Sequence, residues 1–438
     1  MGDVAVSATL VLRFADVGTA TYGSLRVVGE PASTVTWVVE EPLLLAALTD
    51  VDDALPEPIA EETVADALRR AFAEGPLARP DAELGLAYRL GVLLLSQAAW
   101  DLVEACAGEP RAALFVAPSA RLARVPWTLL AFPRRRPDAD ALAAACTAAV
   151  TFAGTVPARI AWDDPGTATD GTRLLELVDV LMAPPANIVN ASRPHRSWAS
   201  RAGAPRLLVL DPRVPHQRAD SALGSVLGRP DPDTALARHV AEDVGRGTVL
   251  PEVRSAVELF RRVDADRHWL AAMLERGPAR LLYVGHATAA EAGSADRAAV
   301  HLAEERPLTA ADLLALDLPI PPRVALLACA SGGDYRFDEA TGLVAAAVLG
   351  GAQLVTATLW SLPTTAGYRR FAAGAADPAA DPMGELIIAV DVAHDADHAG
   401  RAVNRWQREA LRRWRSGDEA ASPLYWAALA TFAVDGAR

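Results

Sequence analysis

Three stretches near the amino terminus, VSATLVLRF, GSLRVVG and STVTWVVEE, gather apolar and β-branched residues between Gly, Pro and Ala turns. They predict strands in the first 50 residues. The period then lengthens. EETVADALRRAFAEG carries apolar residues three and four apart, with a glycine just past its end, which predicts a helix. LAYRLGVLLLSQAAWDLVEACAG predicts a second, more buried helix. Residues 111–133 read as a short strand ending at Pro118, a turn, and a second apolar segment. RRRPDAD (134–140) is a charged loop, and LAAACTAAVTFAGT reads as helix plus strand. Residues 163–200 are rich in Pro, Gly, Asp and Ser and predict a linker.

From residue 205 the pattern becomes regular. PRLLVLDP, ARLLYVGHA, RVALLACA and AQLVTATLW are apolar throughout, with little alternation, as in parallel strands covered on both faces. PDTALARHVAEDVG, SAVELFRRV and RHWLAAMLERG predict helices between them. The rhythm is that of a wound α/β domain. A long Arg/Trp helix, AGRAVNRWQREALRRWRSG, and a last strand, PLYWAALATFAV, close the chain.

Composition narrows the function. The chain has 438 residues, 51% of them hydrophobic, enough for a large core. A net charge of −13 argues against nucleic acid or an anionic membrane as partner. All 42 basic residues are arginine. Codon bias and selection against lysine both produce that pattern, and composition does not separate them. Cys106, Cys146 and Cys329 lack metal-site spacing and are odd in number, so a reducing compartment without disulfides is expected. The first residues carry no basic signal region, and the protein is expected to be cytoplasmic. TGLVAAAVLGGAQLVTATLW (341–360) is long and uncharged enough for a membrane span. Gly350-Gly351 in its middle and the change from Ala/Leu to Val/Thr make it a helix, a turn and a buried strand instead.

Two apolar runs stop abruptly at a reactive side chain, LLYVGHAT at His286 and RVALLACASGG at Cys329. In open α/β sheets chemistry gathers at the carboxyl ends of strands. On neighbouring strands, the imidazole and thiol come within reach, and an adjacent imidazole favours the nucleophilic thiolate. Cys106 and Cys146 have no such context and read as core residues. Asp211, at another strand end, either lines a substrate cleft or caps the turn with Pro212. Asp338 and Glu339 suit the cap of the following helix. HDADH sets His394 and His398 four apart, but it lacks a zinc protease's glutamate and any third ligand, so no metal or other cofactor is expected.

From about residue 85 the ordered pieces resemble the CHAT proteins, the bacterial caspase-like cysteine proteases related to separase. LFVAPSARLARVPWTLL, LLYVGHAT, LTAADLLALDLP, VALLACASGG with DEATGLVAAAVLGGAQLVTATLW, and PLYWAALATFAV carry the likeness. The resemblance implies an α/β, caspase-like three-layer αβα sandwich with a mostly parallel sheet. Residues 81–200 would form an amino-terminal, pseudo-caspase lobe beside a catalytic lobe at 201–438, with 1–80 a β-rich extension. It implies a His286/Cys329 dyad for peptide hydrolysis, and an oxyanion hole from the N–H groups of Ala287 and Cys329. It also implies a protein substrate, such as a neighbouring effector in bacterial defence or cell death. A catalytically inactive scaffold is the alternative. Where the family usually has glycine after the histidine, this chain has Ala287. Where relatives place an acid after the tryptophan, LWSLPTTAG has Thr364. A pocket near Asp211, Trp360, Leu362 and Thr364 is therefore expected to prefer an uncharged residue. SGGDYRFD (331–338) reads as a mobile loop that an activating partner or oligomer orders.

Overall fold

The structure is a computed structural model that describes residues 8–18, 20–108, 110–151, 162, 164–194, 196–216, 224–289, 294–333, 342–372, 374, 377–434 and 436–437. The chain divides into two compact units. One is Met1–Met182 with Leu411–Asp418, the other Ala183–Ala410 with Glu419–Arg438.

In the first unit, alternation sets the strands. β1 (Thr9–Val17) buries Leu10, Leu12 and Phe14 and turns the intervening residues outward. It pairs antiparallel with β2 (Ala20–Val27), which pairs antiparallel with β3 (Glu30–Glu40). On its other side β1 runs parallel to β4 (Ala113–Ala117), and β4 to β5 (Asp179–Met182). The strands from residues 1–80 thus share one sheet with those from 81–182. β5 lies inside the stretch that composition marked as linker. Its four residues, DVLM, are all buried, but Pro, Gly and Asp on both sides mask so short a strand. LAAACTAAVT forms a helix, Ala139–Thr151, and the strand expected after it falls outside the described residues. The helix Pro80–Leu94 passes so close to the chain that a Cβ on Gly91 would sit 2.0 Å from Ala131 O. It also carries Glu83, which makes a buried two-pronged contact with Arg173 (2.8 and 3.2 Å).

The second unit contains β6 (Arg206–Leu210), β7 (Val249–Leu250), β8 (Arg280–Val284), β9 (Ala287–Thr288), β10 (Ala299–Val300), β11 (Leu308–Thr309), β12 (Arg323–Leu327), β13 (Leu354–Thr358) and β14 (Leu429–Ala433). Its main sheet runs β14-β13-β12-β8-β6-β7, parallel except for β14. β9, β10 and β11 form a small antiparallel sheet. Every residue of β6, β8, β12 and β13 is buried, as continuous apolar runs require. On one face Val209, Leu281, Tyr283, Val324 and Leu326 meet leucines of the helices Arg267–Glu275, Ala310–Ala315 and Leu343–Leu349. The opposite face meets the helix Pro382–Ala393. Helices therefore cover both faces of this sheet.

The run at 341–360 is the expected helix (Leu343–Leu349), a turn with Gly351 at φ 122°, and β13. Among the described residues no single helix is long and apolar enough to cross a membrane. PLYWAALATFAV differs from expectation. Pro423 starts a helical turn, capped by the Ser422 hydroxyl, and only Leu429–Ala433 is strand.

Candidate functional site

Register brings the two reactive residues together. Val284 of β8 lies directly beside Leu327 of the adjacent parallel strand β12. His286 and Cys329 each follow two residues later, so both emerge at the same carboxyl edge. Leu210 of β6 lies on the other side of Val284, which puts Asp211 at that edge too.

His286 is buried, and its ring is oriented. Nε2–H donates to Gly224 O (2.5 Å). A carbonyl only accepts, so in the neutral imidazole Nε2 carries the proton and Nδ1 is the acceptor. The backbone is held as well. His301 N–H donates to His286 O (3.0 Å), and the Tyr283 hydroxyl lies 2.7 Å from His286 O and 2.8 Å from His301 O. Burial pushes the Tyr283 hydroxyl well above its ordinary pKa, so it stays a donor. A Cβ on Gly285 would meet that hydroxyl at 2.8 Å, which explains the glycine before the histidine. His301 Nε2 lies 2.7 Å from the Thr288 hydroxyl; burial, then the neighbouring His286, pull its pKa down.

Cys329 is half-exposed, while its neighbours from 321 to 332 are all buried. It sits on a sharp turn after β12, and the next residue, Ala330, is left-handed (φ 46°). Ser331 fixes the turn. Its hydroxyl donates to Leu326 O (2.5 Å) and accepts from Thr358 N (3.1 Å). Gly332 N–H donates to Thr358 O (2.9 Å), and a Cβ there would come within 3.2 Å of that oxygen. The glycine thus allows close approach of this chain's own β13. Of the loop expected at 331–338, Ser331 and Gly332 are anchored in this way, Gly333 N–H donates to Ala330 O (3.2 Å), and residues 334–338 lie outside the described residues, as does Glu339.

Asp211 neither caps the Pro212 turn nor offers a bare carboxylate. It is fully buried and left-handed (φ 49°). Its carboxylate accepts from Ser225 Oγ (2.5 Å) and Leu227 N (3.4 Å) and pairs with Arg261 (3.3 Å). The segment it holds begins at Gly224, the partner of His286, and continues as one wall of a cleft of about 310 Å³. Thr364 lines the other wall, where its hydroxyl caps the helix Thr365–Phe371 by accepting from Gly367 N (3.1 Å). Arg229, Asp231, Arg369 and Asp381 also border the cleft, so it carries charges of both signs among apolar residues such as Leu227, Phe260 and Met383. Trp360 and Leu362 are not among its lining residues. Trp360 is fully buried, with its indole N–H on Leu424 O (3.0 Å).

Reading the sequence missed Tyr283, Gly224, Ser225 and Arg261. Tyr283 left a signal: a tyrosine in an aliphatic strand needs a partner for its hydroxyl. The other three are brought to the site by loops distant in sequence and left none.

The CHAT domain family model matches residues 84–436. Two crystal structures of the Saccharomyces cerevisiae separase–securin complex, at 3.0 and 2.6 Å resolution, are similar to this chain. Each shows 11% identity and a TM-score of 0.43, over 97% of this chain and 30% of the other. The chain spans less than a third of those chains' length, 30%. A search of curated proteins found no match.

Proposed function

The chain belongs to the CHAT domain family, and on that premise we propose that it is a caspase-like cysteine endopeptidase with Cys329 as nucleophile and His286 as base. The observation that supports this reading is the shared carboxyl edge of β8 and β12, where Cys329, a half-buried residue, and an oriented His286 each follow two residues after paired positions.

In the proposed reaction, His286 Nδ1 takes the thiol proton and the thiolate attacks the scissile carbonyl carbon. The oxyanion is met by the N–H groups of Cys329 and Ala287, donors of a kind worth about 3–4 kcal/mol each. Ala287 suits that role. His301 N–H donates to His286 O just outside β9 and β10, so the flanking position, not the Ala287–Val300 pair, carries the ladder bond. Antiparallel ladders alternate, so Ala287, opposite Val300, turns its N–H away from β10. It lies in extended backbone, where alanine is as comfortable as glycine. Collapse of the adduct breaks the C–N bond. The imidazolium passes its proton to the departing amine, and water then hydrolyses the thioester with His286 again as base.

On this reading residues 201–438 form the catalytic part of a caspase-like αβα domain and 81–200 its pseudo-caspase part. The cleft beside Thr364 receives a substrate side chain. The substrate is a protein, such as a neighbouring effector in bacterial defence, and a partner or oligomer gates the reaction.

A peptide chloromethyl ketone tests the dyad, with peptide mapping of the adduct. Labelling is expected at Cys329 alone, and it should be lost in Cys329→Ala and strongly slowed in His286→Ala. Equal labelling of Cys106 or Cys146, or an undiminished rate in His286→Ala, contradicts the proposal, as does the absence of labelling expected of a binding scaffold.

A further inference from the structure

We propose that Asp211 is a positioning residue for His286, acting through the segment Gly224–Leu227. The inference rests on the reading of His286 as the base.

The linkage is only two contacts long. Asp211 accepts from Ser225 Oγ at 2.5 Å and from Leu227 N at 3.4 Å. The residue before Ser225 presents its carbonyl to His286 Nε2 at 2.5 Å. Gly224 has no side chain with which to hold itself, so the place of its carbonyl depends on its neighbours. Ser225 gains a second tie by donating to Gly228 O (2.8 Å).

Asp211 is itself rigidly placed. Its N–H donates to Val284 O (2.6 Å), two residues before His286 in the strand that delivers the histidine. It pairs with Arg261, and both residues are left-handed, at φ 49° and 54°. Two non-glycine residues in that region, one buried and one half-buried and joined by an ion pair, store strain that surrounding contacts must hold. Strain of this kind, at the carboxyl edge of the sheet, is characteristic of positions that fix reacting groups. The consequence is chemical. While Gly224 O stays in place, the Nε2–H tautomer is favoured and Nδ1 remains the base. If the segment drifts, the imidazole is free to take the other tautomer and to turn.

Asp211→Asn and Ser225→Ala test this in the full-length protein. Asparagine tolerates the left-handed backbone, so the first variant removes the charge without adding backbone strain. Ser225→Thr keeps the hydroxyl and serves as the rescue. Inactivation by the peptide chloromethyl ketone is measured as separate maximal rate and half-saturation. The ¹⁵N histidine spectrum reads the His286 tautomer independently of any activity.

The expected result for Asp211→Asn and Ser225→Ala is a maximal rate lower by about 10- to 100-fold. Half-saturation should stay within about twofold, and signal should shift from Nε2–H to Nδ1–H. Ser225→Thr should restore both rate and tautomer. Folded variants with wild-type rate and tautomer overturn the role of Asp211 and leave the dyad standing. If the wild type is not labelled at Cys329, the nucleophile assignment fails, and the spectrum alone still decides whether Asp211 sets the imidazole.

Discussion

His394 is fully enclosed just past the helix Pro382–Ala393, with Nε2 2.8 Å from the Thr356 hydroxyl. Burial, and then the nearby Arg280 and Arg323, pull its pKa down to about 3. The unfolded chain binds the same proton near pH 6.5. Between those values the unfolded state takes up more protons than the folded one. The stability from neutral His394 is thus complete above about pH 6.5 and is lost as pH falls toward 3, by roughly 1.4 kcal/mol per unit from this group. Denaturant titrations at pH 7, 6 and 5 should show the loss, and His394→Gln should flatten it. An unchanged slope in that variant assigns the acid sensitivity elsewhere. His394 and His398, four apart in the sequence, do not share a helix face, because the helix ends at Ala393. Spacing alone did not reveal that end. By contrast His286 and Cys329 were readable, because each interrupts an apolar run at a point where polarity has no packing reason.

Elements add contacts that no short window contains. Glu83 lies on the helix Pro80–Leu94 and Arg173 just before the helix Leu174–Leu177, 90 residues apart, and both side chains are 1% exposed. Removing one partner leaves the other charge buried without compensation. Glu83→Ala is expected to cost about 3–5 kcal/mol of stability, read as a lower denaturation midpoint. A loss under about 1 kcal/mol, the range of exposed pairs, would show that water reaches Arg173. A similar clamp hides in plain view at three strand starts. β6, β8 and β12 each open with arginine. Arg206, Arg280 and Arg323 are buried in one row. The first two pair with Asp391, which His239 also meets at 2.8 Å. Arg323 binds His394 O (2.7 Å) and Ala396 O (2.6 Å), with its guanidinium 3.6 Å from the centre of the Trp198 ring. Cations so placed satisfy the carbonyls at a helix carboxyl end. The apolar strands were legible because burial on both faces erases alternation. Their partners were not, since pairing of charges depends on the tertiary arrangement.

At the scale of the whole molecule, the α/β character and the buried parallel strands after residue 205 followed from hydrophobic pattern. The division into units did not, because β5 is four residues long and framed by turn formers. Gly224, whose carbonyl reaches His286 across 62 positions, leaves no local signal in the sequence. If Cys329 is the nucleophile and His286 the base, peptide bonds are cut at the carboxyl edge of β8 and β12 and nowhere else in the molecule. Mass-spectrometric mapping of new protein termini tests that claim most directly, in a protein mixture incubated with wild type, Cys329→Ala and His286→Ala. New termini that share a local sequence are expected with wild type and should disappear with both variants. The same termini generated by either variant, or none generated by wild type, would contradict it.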